Sequence, residues 1–213
     1  MIRSKIIKTN GYRGYYLGQI SEYYSVILDR IIDRINFLLK KCGKILVIRL
    51  VIKYPAQLNA AKRNDCFQYF MEEYRRKLSR RGFGPHYVWV REQHYSGNQH
   101  YHLVLLLDAR AIQYFNKLTE ANQLWQTAIR KFNPQSKSIP LKLIHKDTAR
   151  YGQMKIRHGI LVAKNNYHLR MACIRYCAYL AKCETKGRGP QNCNDFNASQ
   201  LPKEKDCEYE FES

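Results

Sequence analysis

Apolar positions along this chain change their period several times, and each change marks an element. Between residues 21 and 41, Ile27, Leu28, Ile31, Ile35, Leu38 and Leu39 recur at helical spacing, with Asp29, Arg30, Asp33 and Arg34 between them. That spacing predicts an amphipathic helix, with Gly43 as its stop. Residues 44–54 are dense in Ile, Leu and Val and end at Pro55, which reads as a strand. Residues 64–81 return to the helical period, with Asn64 as N-cap and Gly82 beyond the end. Residues 86–93 and 99–107 read as two strands joined through Ser96-Gly97-Asn98, a hairpin. A second long helix is expected over 109–132 with Asp108 as N-cap, then strands over 141–145 and 156–164 with a hairpin between them. A third helix spans 169–183 and is broken by Gly187-Arg188-Gly189-Pro190. Residues 1–19, basic and rich in Tyr and Gly, and the polar end of the chain are expected to be irregular.

The order is strand, helix, hairpin, helix, strand, helix. It suits an α+β fold, a ferredoxin-like or RRM-like antiparallel sheet with helices on one face, the hairpin strands lying centrally, plus an N-terminal helix. Three segments are expected: a basic N-terminal segment and helix over 1–42, the main domain over 43–190, and a polar, acidic tail over 191–213. There is no internal repeat.

Charge sharpens this picture. The 213 residues carry 37 Lys and Arg against 17 Asp and Glu, a net charge of +20. The last eleven residues hold five acids and two bases, so the rest of the chain stands at +23. Such a surplus points to a polyanionic partner, nucleic acid first and an anionic membrane second. No run approaches the roughly 18 apolar residues of a membrane span, and the N-terminus lacks a signal-peptide pattern. The seven cysteines form no Cys-x-x-Cys pair, which argues against a structural zinc site. Reduced thiols suit a cytoplasmic protein, and no membrane partner is expected.

The candidate chemistry lies in the second hairpin strand. His100 and His102 flank Tyr101, and residues two apart on a strand share a face. Two imidazoles aimed at one spot begin a divalent-metal site, although the pair alone reads equally well as two satisfied core histidines. Glu92, near the open end of the paired strand, could reach the same face; alternatively it is a strand-end charge. Two histidines and a carboxylate suit Mg²⁺ or Mn²⁺ with open positions for phosphate oxygens. On the last helix, Tyr179 and Lys182 are three apart and share a face, with Tyr176 one turn earlier. A phenol is a weak nucleophile near neutral pH, and a neighbouring ammonium favours its phenolate. The alternative is plain packing, in a chain with 17 tyrosines.

Glu92, His100-Tyr101-His102 and Tyr179-Leu180-Ala181-Lys182, in that order, resemble the HUH endonuclease superfamily of rolling-circle replication initiators. More closely, the chain is similar to the YagK/YfjJ C-terminal domain family, inovirus-type replication proteins of phages and prophage remnants. The stretches that carry this are Tyr87–Glu92, His100–Leu107 and Arg175–Lys182, with Gly187 after Thr185-Lys186, and the likeness spans residues 44–200. The segment Asn192-Cys193-Asn194-Asp195-Phe196 departs from the arginine- and glycine-rich ending of the family.

The resemblance implies an HUH domain over 43–190 that nicks and joins single-stranded or hairpin origin DNA in a bacterial host cell. His100, His102 and Glu92 would hold the metal. Tyr179 would attack, giving a 5′-phosphotyrosine and a free 3′-hydroxyl, with Lys182 assisting. DNA would lie across the sheet, touched by Arg75, Arg76, Lys77, Arg80 and Arg81 and by the aromatics Trp89, Tyr95 and Tyr176. There is no Gly-x-x-x-x-Gly-Lys phosphate loop, so unwinding would need a host helicase. Rival readings are a non-catalytic DNA-binding regulator or prophage remnant on the same fold, an RRM-like RNA binder, and an HUH-type transposase.

Overall fold

The computed structural model describes residues 4–202, apart from 56–57, 59–62, 94–98, 137, 147–149, 152–153, 156–158, 185, 187–189 and 191–192. The chain opens with a hairpin of β1 (Ile6–Tyr12) and β2 (Tyr15–Tyr24), where irregular structure was expected. Its two-residue turn needs positive φ at both central positions. Arg13 and Gly14 supply it, at 50° and 79°. An Arg-Gly turn lacks the Asn or Asp that usually advertises this geometry, which is why the pattern is silent here. Helix α1 (Ser25–Cys42) starts four residues later than expected, because 21–24 complete β2. Gly43 ends it at φ 71°, its N–H donating to the Leu39 carbonyl at 3.1 Å.

Then come β3 (Lys44–Lys53), α2 (Asp65–Arg80), β4 (His86–Gln93), β5 (Gln99–Asp108), α3 (Leu118–Phe132) and β6 (Ile144–Lys146). The short strands β7 (Arg150–Tyr151) and β8 (Met154–Lys155) pair with each other, and β9 (Ile160–Ala163), α4 (Tyr167–Ala178) and β10 (Phe196–Ala198) follow. The main sheet is antiparallel, in the order β10-β4-β5-β3-β6, with β9 pairing the other half of β3. The unit β3-α2-β4-β5-α3-β6 is the ferredoxin-like α+β arrangement, with β3 and β5 central.

Three features depart from expectation. Helix α3 begins at Leu118 rather than 109. Asp108 closes a turn instead, accepting from the Ala111 and Ile112 N–H groups, and Ile112 and Phe115 turn into the core. Residues 196–198, expected to be irregular, form an edge strand on β4, with Phe196 opposite Val90. Most consequentially, helices cover both faces of the sheet. Helices α2 and α3 pack on Leu46, Ile48, Leu50, Ile52, Leu103 and Leu105, whereas α1 and α4 pack on Ile45, Val47, Val88, Val90, Val104 and Leu106. The unbroken apolar runs Ile45–Ile48 and Leu103–Leu107 are the mark of strands buried on both sides. Neither face of the sheet is therefore open for nucleic acid to lie across, and the α1–α4 face is uncovered toward the end where Lys53 and His145 are exposed. No helix among the described residues is long and apolar enough to cross a membrane.

Candidate active site

The alternation of β5 decides what faces what. Tyr101, Leu103 and Leu105 enter the α2–α3 core, so His100, His102, Val104 and Leu106 face α1 and α4. In register, Glu92 is opposite His100 and Val90 is opposite His102, so the Glu92 carboxylate lands on the histidine face. The ligand atoms of Glu92, His100 and His102 all lie within 4.8 Å of one another. Both imidazoles meet one oxygen, Glu92 Oε2: His100 Nε2 at 3.0 Å and His102 Nε2 closer still. A carboxylate can only accept, so each Nε2 carries the proton it donates.

The environment sets the charge states. Burial raises the Glu92 carboxyl pKa, but the hydrogen bonds from His100 and His102 and the nearby Lys186 charge outweigh it and hold the group ionised. Burial pulls His102 down toward its neutral form against the attraction of Glu92. An ionised carboxylate and neutral imidazole are the ligand forms a divalent cation needs. Two imidazole nitrogens converging on one carboxylate oxygen therefore fit a cation that would take the place of the shared protons.

Tyr179 borders this cluster. Helix α4 ends at Ala178, and Tyr179–Ala181 make one 3₁₀ turn, where a helix through 183 was expected. The Tyr179 ring lies 5.4 Å from the His102 ring, centre to centre, and is 37% exposed. Tyr176 is only 6% exposed and faces inward. Tyr176 and Tyr179 do share a side of the helix, since the Arg49 guanidinium lies 4.2 Å from one ring centre and 4.7 Å from the other. Arg49 also donates to the Tyr176 carbonyl.

The lysine beside Tyr179 is not the expected one. Lys182 adopts an extended conformation, φ −61° and ψ 136°, and bridges Tyr23 of β2. The Cys183 N–H donates to the Glu22 carbonyl at 3.0 Å, and Lys186 then bridges Glu92. Lys186 is 3% exposed. Its Nζ sits 4.7 Å from the Tyr179 ring centre and 4.0 Å from Glu92 Oε1. Burial lowers its pKa against the pull of Glu92.

The expected DNA-contacting residues scatter. Trp89 is a correction: it is 3% exposed in the α2–α3 core, 5.0 Å from the Phe67 ring, and cannot stack on a base. Tyr176 is likewise too buried to stack. Tyr95 lies outside the described residues. Arg75, Arg76, Lys77, Arg80 and Arg81 belong to α2 and the turn after it, on the face of the sheet opposite Tyr179. There Arg76 pairs with Glu73, and Lys77 and Arg81 pair with Glu120.

Sequence reasoning missed Arg49, Lys186, Lys53 and His145. Arg49 had a signal, a single charge inside the apolar run of β3. Lys53 is exposed opposite His100, and His145 is exposed opposite Val51, which pairs with His102 on its other side. Both flank the histidines on the uncovered end of the same face.

A family model described as the YagK/YfjJ C-terminal domain matches residues 8–197 of the chain. No curated protein matches.

Proposed function

Because the chain belongs to the YagK/YfjJ C-terminal domain family, we propose that it is a metal-dependent endonuclease that nicks and joins single-stranded DNA to initiate rolling-circle replication of phage or prophage DNA. The observation that carries this reading is the convergence of Glu92, His100 and His102 with an accessible phenol packed on His102. Tyr179 is more exposed than Tyr176, and both imidazoles converge on one buried, ionised carboxylate oxygen.

Glu92, His100 and His102 would hold Mg²⁺ or Mn²⁺. When bound, the cation supplies a Lewis acid that draws charge from a phosphate oxygen. The Tyr179 oxygen forms a bond to phosphorus, giving up its proton to solvent. The bond from phosphorus to the 3′ oxygen breaks, and that oxygen leaves with the electron pair and takes a proton from water. One phosphodiester replaces another, so the reverse attack by a 3′-hydroxyl rejoins the strand. Lys53 and His145, both exposed on the β3–β6 side of the histidines, would meet phosphates next to the reacting one. The substrate is single-stranded or hairpin DNA, and a host helicase opens the duplex.

The test is incubation with a pool of labelled single-stranded and hairpin oligonucleotides and Mn²⁺, followed by denaturing electrophoresis. A protein-linked band should form, disappear in Tyr179→Phe and in EDTA, and survive in Tyr176→Phe. Loss in Tyr176→Phe alone would move the nucleophile. Tight binding without any adduct would favour the regulator.

A further inference from the structure

Two buried cations surround the tyrosine, and the nicking reading does not account for them. Arg49 is 5% exposed in the middle of the central strand β3. Lys186 is 3% exposed at the end of the segment that follows the 3₁₀ turn. A buried charge costs several kcal/mol unless strongly compensated, and apolar side chains of similar volume serve a core at least as well. Both cations converge on the same ring: the Arg49 guanidinium and the Lys186 ammonium each lie 4.7 Å from the Tyr179 ring centre.

Each cation also grips something else that matters. Arg49 donates to the Tyr176 carbonyl and covers the Tyr176 ring, so it ties the end of α4 to β3. Two residues along β3 on the same face, Val51 pairs with His102. One strand thus fixes both tyrosine and histidine. Lys186 reaches from the Tyr179 ring to Glu92 Oε1, 4.0 Å away, so it couples the tyrosine to the carboxylate of the triad. Lys182, three residues after Tyr179, has left the helix and pairs through its backbone with Tyr23 because the α-helix has already ended.

We propose that Arg49 and Lys186 are the positioning residues of the nucleophile: a two-cation clamp that holds the Tyr179 ring over the Glu92, His100 and His102 cluster, with Lys186 taking the place that spacing gives to Lys182. The proposal rests on the nicking reading for its catalytic consequence, but the clamp itself is a property of the folded chain. Each cation over an aromatic ring adds a directed attraction that an apolar side chain cannot reproduce. Holding a nucleophile in near-attack geometry acts on the chemical step rather than on affinity.

The experiment has two readouts on the full chain. The first is single-turnover adduct formation on an oligonucleotide that the wild type cleaves, measured beside DNA affinity. Arg49→Met and Lys186→Met should each slow the adduct step about 100-fold while leaving Kd within about threefold, and Lys182→Met should change the rate less than threefold. Arg49→Lys keeps the charge and the fold, and should recover part of the rate. The second readout needs no activity: the NMR signal of the ring-labelled Tyr179, assigned by its loss in Tyr179→Phe. It should shift in Arg49→Met and Lys186→Met and stay in place in Lys182→Met. A Tyr179 signal indifferent to Arg49 and Lys186, or a rate lost in Lys182→Met and kept in Lys186→Met, overturns the clamp. A wild-type chain that forms no adduct with any oligonucleotide overturns the nicking reading, and the ring signal then decides the clamp alone.

Discussion

Glu92 is 2% exposed and accepts from both imidazoles, so each histidine is at once a candidate metal ligand and the partner of a buried charge. Removing one leaves the carboxylate less compensated. His102→Ala is expected to lower stability more than His100→Ala, by roughly 1–3 kcal/mol in urea unfolding, because His102 is the more buried ring. Both variants should lose Mn²⁺-dependent cleavage yet keep single-strand affinity within about threefold, as read by fluorescence anisotropy. A variant that cleaves at full rate would remove that histidine from the site. His86, far along β4 from Glu92, gives a pH prediction. Burial, with the Arg34 and Lys41 charges, lowers its pKa from 6.5 to about 4. The unfolded chain therefore binds a proton between those values that the folded chain refuses. Stability from this group is complete above about pH 6.5 and falls as pH drops toward 4, by an amount on the order of 2 kcal/mol. His86→Gln should flatten that part of a stability-against-pH curve; an unchanged curve would place the loss elsewhere.

At the scale of the element, the fourth strand of the ferredoxin-like core is built in two pieces. β6 pairs Leu50–Ile52 and β9 pairs Lys44–Val47, with Ile48 and Arg49 falling between them. β6 ends at Lys146, and the chain enters β9 through Gly159. Gly159 has φ +98°, and a Cβ there would stand 2.8 Å from Leu46 Cδ1 and 2.9 Å from the Val47 carbonyl oxygen. Neither the backbone angle nor the space admits a side chain. Gly159→Ala should therefore cost about 1–3 kcal/mol and raise amide exchange over β9 before the rest of the sheet. Uniform loss of protection across the sheet would mean that β9 does not open on its own. The hairpin β1–β2 is the other element with a role beyond its own pairing. Its Glu22 and Tyr23 hold the chain between Tyr179 and Lys186, so it helps set where the second cation arrives.

For the whole molecule, a net charge of +20 does not by itself locate a binding surface. The densest basic cluster is on α2, partly neutralised by Glu73 and Glu120 and on the opposite side of the sheet from Tyr179. The uncovered end of the histidine face offers fewer cations, among them the exposed Lys53. If single-stranded DNA docks at that end, Lys53→Gln should reduce the slope of log affinity against log salt by about 0.7, the value of one released counterion on a single strand. Arg76→Gln with Arg80→Gln should leave that slope unchanged. A drop of more than one unit in the double variant would instead place α2 against the DNA.

By itself the sequence determined the α+β class and the hairpin that puts Glu92, His100 and His102 on one face. These depend on strand alternation and hairpin register, which are local and period-two. The apolar runs of β3 and β5 also held the news that both faces are covered, although period counting alone could not assign which helix took which face. Tertiary structure decided the rest. Trp89 is one residue along β4 from Val88 and Val90, and its burial followed only once Phe67 of α2 packed against it. The basic run of α2 lies on the face opposite Tyr179, a placement set by how the helix docks on the sheet. Lys182 has the right spacing for a helix that stops at Ala178, and Lys186 reaches the ring because β2 and β4 redirect the chain between them. Arg49 lies 130 positions before Tyr179 and meets it only when α4 packs on β3. Contacts of that span are chosen by how the helices share the two faces of the sheet, and no window of local sequence contains that choice.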